Sequence, residues 1–119
     1  MCHVLVIEDD AIAAEDIRAT LSRAGASSFS FADTEREALA QAQAARPEVI
    51  ISDVLLSDGF GPDAVRSIRK ELGDIPAIFI TGTPEQCRGC DPQMIIDKPF
   101  SPAQLSALFK TVAPEVARG

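Results

Sequence analysis

Four short, almost wholly apolar runs recur along the chain, and each delivers a polar or charged side chain at its end. Val4-Leu5-Val6-Ile7 leads into Glu8, Val49-Ile50-Ile51-Ser52 into Asp53, Ala77-Ile78-Phe79-Ile80 into Thr81, and Met94-Ile95-Ile96 into Asp97. Strands apolar on both faces belong inside a parallel sheet, because a half-solvated antiparallel strand alternates instead. Ser28-Phe29-Ser30-Phe31 does alternate, as an edge strand with one better-buried face would.

Helical patterns fill the intervals. Ala13, Ile17, Leu21 and Ala24 share one face after the first run, and Gly25 stands where a helix stops. Thr34 followed by Glu37 is a capping box opening a helix to Ala45, ahead of Pro47. Pro62 at a first helical position starts a third helix with Val65, Ile68 and Leu72 inward, closed by Gly73. Residues 82–94 hold Gly82, Pro84, Gly89 and Pro92 and support only a short, frayed helix. Ser101, Pro102 and Gln104 begin the last helix, with Leu105, Leu108, Phe109 and Val112 inward.

Strands alternating with helices predict an α/β fold with a doubly wound, five-stranded parallel sheet, both faces covered by right-handed crossovers. The edge character of the Phe29 strand favours the order 2-1-3-4-5, placing strands 1 and 3 together at the topological switch point. A chain of 119 residues is about one domain, expected to span 1–119. A net charge of −7 argues against a nucleic-acid surface, which needs a clustered basic face. No apolar run is long enough for a membrane span, and the N-terminus leaves no room for a signal peptide, so a cytoplasmic protein is expected.

In open parallel sheets, ligands bind outside the carboxyl ends of the strands. Glu8, Asp9 and Asp53 all fall there, on adjacent strands. A strand-end Asp also caps turns for purely local reasons, so one alone says little. Several together repel one another unless a proton or cation intervenes, and oxygen-only donors with room for water suit Mg²⁺. Thr81 adds a hydroxyl and Lys98 an ammonium on the same edge, and Lys98-Pro99 permits a cis bond. Carboxylate, divalent metal, hydroxyl and lysine together are equipment for phosphoryl transfer onto an aspartate.

Val6-Ile7-Glu8-Asp9-Asp10, Ser52-Asp53-Val54-Leu55-Leu56, Ile80-Thr81-Gly82 and Asp97-Lys98-Pro99-Phe100, in this order and spacing, resemble the receiver domain of two-component response regulators. The resemblance covers essentially the whole chain and implies a flavodoxin-like, CheY-like fold. It implies that Asp53 accepts a phosphoryl group from a phosphohistidine, on a sensor histidine kinase or a histidine phosphotransfer protein. Mg²⁺ would be held by Asp9, Asp53 and the backbone carbonyl of Leu55, with Glu8 acting through water. Thr81 and Lys98 would contact the phosphoryl oxygens. Such a domain switches protein–protein contacts or drains phosphate from a kinase, and it catalyses only its own phosphorylation and dephosphorylation.

The chain departs from that family at three places. Receivers usually carry Tyr or Phe where Ile95 stands, and commonly Pro where Ser57 stands. The Gly82–Met94 segment is shorter than typical, so activation is expected to order that segment rather than swing a ring. These departures, with Phe79-Ile80-Thr81-Gly82, are similar to a subgroup of alphaproteobacterial stress signalling whose members often stand alone and serve HWE-type kinases. These 119 residues are expected to hold no output domain: a complete protein of this kind would act by docking or as a phosphate sink, and an excised piece would have its output elsewhere.

Two other functions compete. A haloacid-dehalogenase-like phosphatase wants a second Asp two residues after the nucleophile, where Leu55 stands. A degenerate receiver kept as a scaffold fits poorly with Asp9, Asp53, Thr81 and Lys98 all present. Cys87-Arg88-Gly89-Cys90 supplies only two of the four ligands of a structural zinc, and Cys2 and His3 start the first strand at the opposite sheet end. A redox motif should open a helix after a first strand, and this one does not. With three cysteines, no disulfide framework is expected.

Overall fold

The computed structural model describes residues 2–113. Five parallel strands form one sheet: β1 (His3–Ile7), β2 (Ser28–Ala32), β3 (Val49–Ser52), β4 (Ala77–Thr81) and β5 (Ile95–Asp97), in the order β2-β1-β3-β4-β5. The expected order is the observed one. Helices α1 (Ala11–Arg23), α2 (Glu35–Ala44), α3 (Gly61–Leu72) and α4 (Pro102–Val112) cover its faces.

Because successive strand residues point to opposite faces, each all-apolar run feeds two cores at once. Val4, Val6, Val49, Ile51, Ile78, Ile80 and Ile96 pack with Ile17 and Leu21 of α1 and Leu105 and Phe109 of α4. Leu5, Ile7, Ile50, Ala77 and Phe79 pack on the other side with Ala38 and Ala42 of α2 and Ala64, Val65 and Ile68 of α3. On α1, Ala14 is buried where the pattern had put Ala13. At the edge, the His3 ring reaches Ser28 Oγ and Ser30 Oγ of β2, at 2.7 Å each.

Three features differ from the expectation. Residues 82–94 hold no α-helix but two single 3₁₀ turns, Pro84–Gln86 and Pro92–Met94, because each proline starts a turn that the following residues do not propagate. Leu55–Leu56 and Gly59–Phe60 form a small antiparallel hairpin between β3 and α3. Finally, Cys87 and Cys90 are joined by a disulfide, against the expectation of none. The turn at Pro84–Gln86 and the hydrogen bond from Cys90 N–H to Cys87 O fold the tetrapeptide back on itself. Gly89 takes the positive φ of +77° that this reversal requires, and the two Cα atoms close to 5.6 Å.

Candidate functional site

Ladder hydrogen bonds continue one step past the strands and fix the residues that follow. Glu8 N–H donates to Ala32 O, Asp53 N–H to Ile7 O, and Lys98 N–H to Thr81 O, each at 2.9 Å. These bonds bring Glu8, Asp53 and Lys98 onto one edge of the sheet. Asp10 turns away from this edge to cap α1, accepting from Ile12 N–H at 2.9 Å. Lys98–Pro99 is cis, as the sequence permitted.

At the centre, Lys98 Nζ donates to Asp53 Oδ2 and to Glu8 Oε1, both at 2.9 Å. The other Asp53 oxygen accepts from Val54 N–H at 2.7 Å. Carboxylate oxygens of Glu8, Asp9 and Asp53 lie within 4.8 Å of one another, a spacing that a hard cation with oxygen ligands can bridge. Burial pushes the Glu8 carboxyl up to about 7; the Lys98 hydrogen bond opposes that rise and the charge of Asp53 adds to it. Burial also works against the Lys98 ammonium, but its bonds to Asp53 and Glu8 prevail and hold it above the ordinary lysine range. The donor set therefore carries more negative charge than Lys98 alone neutralises, and a divalent cation fits it.

Asp9 is held from a direction the sequence did not reveal. Ser57, in the hairpin turn, gives both its N–H and its hydroxyl to Asp9 Oδ2, the amide at 2.6 Å. The Ser57 hydroxyl is the main reason that the Asp9 carboxyl sits below its usual range. The hairpin is itself anchored: Glu35 Oε2 at the start of α2 accepts Phe60 N–H at 2.8 Å. Gly61, the first residue of α3, donates to Val54 O at 2.7 Å. A Cβ there would lie 1.7 Å from Asp53 O and 2.5 Å from Ser52 Oγ, so only glycine fits beneath the aspartate.

The remaining expected positions fall around this centre. Leu55 is in the first arm of the hairpin, two residues after Asp53, and is 43% exposed. Thr81 ends β4 and is buried; its hydroxyl accepts Thr83 N–H at 3.0 Å and lies 3.1 Å from the Thr83 hydroxyl. Ile95 starts β5 opposite Phe79 and packs, half-buried, in the cluster on the α3 side. Among the described residues, no helix is long and apolar enough to cross a membrane.

The response regulator receiver domain family matches residues 4–110. The Phyllosphere-induced regulator PhyR of Methylorubrum extorquens is 37% identical over 112 residues, covering 90% of this chain and 42% of that protein. The crystal structure of the response regulator PhyR from Brucella abortus superposes with a TM-score of 0.83 at 31% identity, covering 98% of this chain and 50% of that one. The solution structure of the receiver domain of Erythrobacter litoralis PhyR gives 0.85 at 26% identity, covering 93% and 88%. The chain spans roughly half the length of the first curated relatives it matches.

Proposed function

Since this chain belongs to the response regulator receiver domain family of two-component systems, we propose that Asp53 is its phosphoacceptor and that the phosphoryl donor is a phosphohistidine on a sensor histidine kinase or a histidine phosphotransfer protein. One observation carries this reading. Asp53 lies within 4.8 Å of two further carboxylates and is hydrogen-bonded at 2.9 Å to the lysine that follows β5.

Asp9, Asp53 and the carbonyl of Leu55 would hold Mg²⁺, with Glu8 contributing through water. When bound, the ion supplies charge neutralisation between an anionic nucleophile and an anionic phosphoryl group. The protein's own residues do the rest. Gly61 and the Ile7 and Val54 backbone keep Asp53 rigid at the strand end. Lys98 is a point charge that can pass from the free carboxylate to a phosphoryl oxygen. Thr81 can trade its bonds with Thr83 for the same phosphoryl group, and this trade pulls on the 82–94 segment. That segment replaces the aromatic switch which Ile95 cannot provide, and its ordering is the signal. The output is a change in protein–protein contact or removal of phosphate from a kinase, without catalysis on other substrates. The partner class we favour is an HWE-type kinase, as the resemblance to an alphaproteobacterial stress-signalling subgroup implies; the similarity to PhyR proteins agrees with that subgroup.

The test is direct. Incubation with acetyl phosphate or phosphoramidate and Mg²⁺ should add one phosphoryl group by intact mass, stable in acid and labile in base. Asp53→Asn and a chelator should each abolish it. If no adduct forms even transiently, the chain is a scaffold; rapid hydrolysis of many phosphomonoesters would make it a phosphatase instead.

A further inference from the structure

The phosphoryl chemistry leaves the Cys87–Cys90 disulfide unused, yet it lies in the segment that holds Thr81. Cys87 is buried in the α3-side core, whereas Cys90 is only partly buried beside it. Cys90 also lines a cavity of about 180 Å³ between α3 and this segment. Arg66, Arg69 and Arg88 line the same cavity, opposed there by Asp91. Arg66 is paired with Asp63 at 2.7 Å, and Arg69 Nε is fixed on Ile75 O at 2.9 Å. Three arginines thus border one hollow on a chain of net charge −7, and Asp91 with the Asp63 partner of Arg66 offsets only part of their charge. The remaining positive charge favours an anionic visitor beside Cys90.

We infer that Cys87 and Cys90 form a thiol–disulfide exchange site that reacts with an anionic low-molecular-weight disulfide of the glutathione class. In the oxidising direction, the Cys90 thiolate attacks one sulfur of the small disulfide, whose S–S bond breaks. The departing thiolate takes up a proton, and a mixed disulfide remains on Cys90. The Cys87 thiolate then attacks the Cys90 sulfur, closing the protein disulfide and releasing the second small thiolate. The cysteine pair loses two electrons and two protons; the small disulfide gains both. The less buried Cys90 reacts first and the buried Cys87 resolves, an order that follows from the burial difference.

This bond ties together the loop that begins at Thr83, whose amide and hydroxyl hold the Thr81 side chain. Oxidation therefore stiffens the element from which Thr81 must be released. The chemistry at the pair stands independently of the phosphoryl reading; only its consequence for signalling rests on that reading. In a reducing compartment such a bond is transient, which suits a sensor rather than a staple.

The full chain, reduced and held without oxygen, is treated with glutathione disulfide at graded ratios to glutathione, acid-quenched, and read by intact and peptide mass. Wild type should lose two hydrogens at Cys87 and Cys90 through a transient glutathione adduct on Cys90. Cys87→Ser should stop at that adduct, and Cys90→Ser should form one at Cys87 at least about tenfold more slowly. Arg88→Gln should slow reaction with glutathione disulfide by about threefold to tenfold, yet leave reaction with the neutral 2-hydroxyethyl disulfide unchanged. Hydrogen exchange over residues 83–95 should be faster in reduced than in oxidised wild type. The inference is overturned if wild type never loses the two hydrogens, if both serine variants react alike, if Arg88→Gln affects both disulfides equally, or if exchange is the same in both redox states. None of these readouts requires phosphorylation, so failure here leaves the phosphoacceptor test untouched.

Discussion

Lys98 Nζ lies 2.9 Å from Asp53 Oδ2, so the residue proposed to neutralise a phosphoryl group already neutralises the carboxylate that would receive it. The same ammonium spans to Glu8 at 2.9 Å, and it is the cation that separates two acidic groups of which Glu8 is almost fully buried. Lys98→Met should therefore do more than slow phosphorylation. Breaking a buried ion pair by removing one partner costs about 3–5 kcal/mol, and the partial exposure of Lys98 brings the expectation to roughly 1–3 kcal/mol at pH 8. Urea denaturation measures it. Added Mg²⁺ should recover more stability in Lys98→Met than in wild type, because a second cation then takes up the same charge. Equal recovery in both would mean that the metal does not share this site.

Gly61 supports the aspartate from below, where a Cβ would meet Asp53 O at 1.7 Å. The backbone of Asp53 has to move to make room. Gly61→Ala should cost at least about 2 kcal/mol by overpacking, and it should lower the acetyl phosphate reaction as the carboxylate shifts. Gly82→Ala, where a Cβ meets nothing within 4 Å, is the control and should stay near neutral. Thermal melts of the two variants side by side decide the matter.

Glu8 makes stability depend on pH. Its folded carboxyl, pushed up from 4.5 to about 7 chiefly by burial, binds a proton more tightly than the unfolded chain does. Between pH 4.5 and about 7, folding takes up that proton, so stability falls as pH rises and levels off above. At ~1.4 kcal/mol per pH unit, the ceiling is about 3 kcal/mol, and exchange of charge with Lys98 and Asp53 reduces it. Glu8→Gln should lose the slope and be more stable than wild type at pH 8, yet bind Mg²⁺ more weakly. In calorimetry, Mg²⁺ binding to wild type near pH 7 should release protons, and Glu8→Gln should release fewer.

The order of the sheet was legible because the alternating Ser28-Phe29-Ser30-Phe31 run marks an edge strand, and the sheet itself because burial on both faces leaves a run no polar position until the strand ends. For the same reason Glu8, Asp53, Thr81 and Lys98 could be placed on one edge: each is the first break in an apolar run or lies directly after it. Contacts between loops left no such periodic mark. Ser57 stands 48 residues from Asp9, and in the sequence it is only a departure from a common proline, with no sign that it is a hydrogen-bond donor. Gly61 carries no mark of its role in the sequence, which does not show how closely another backbone approaches. Cys87 and Cys90 lacked the helix that a redox pair ordinarily opens, and a turn closed by Gly89 brought them together instead.

The Ser57–Asp9 contact yields the last prediction. The hydroxyl and amide of Ser57 hold Asp9 ionised to lower pH than an ordinary aspartate. A depressed carboxyl contributes stability above its unfolded value of 3.8, and that contribution disappears as pH falls through the folded value. Ser57→Ala removes one donor and Ser57→Pro removes both, since proline has no N–H. The Asp9 midpoint, followed by carboxyl-carbon NMR in metal-free protein, should rise in the order wild type, Ser57→Ala, Ser57→Pro. Acid unfolding should begin at higher pH in the same order. At pH 8, where Asp9 is ionised in all three, Mg²⁺ affinity of Ser57→Ala should stay within about threefold of wild type, since context moves such terms by that much. A midpoint unmoved in Ser57→Pro would mean that the hairpin turn and Asp9 are independent, and that another group ionises the aspartate.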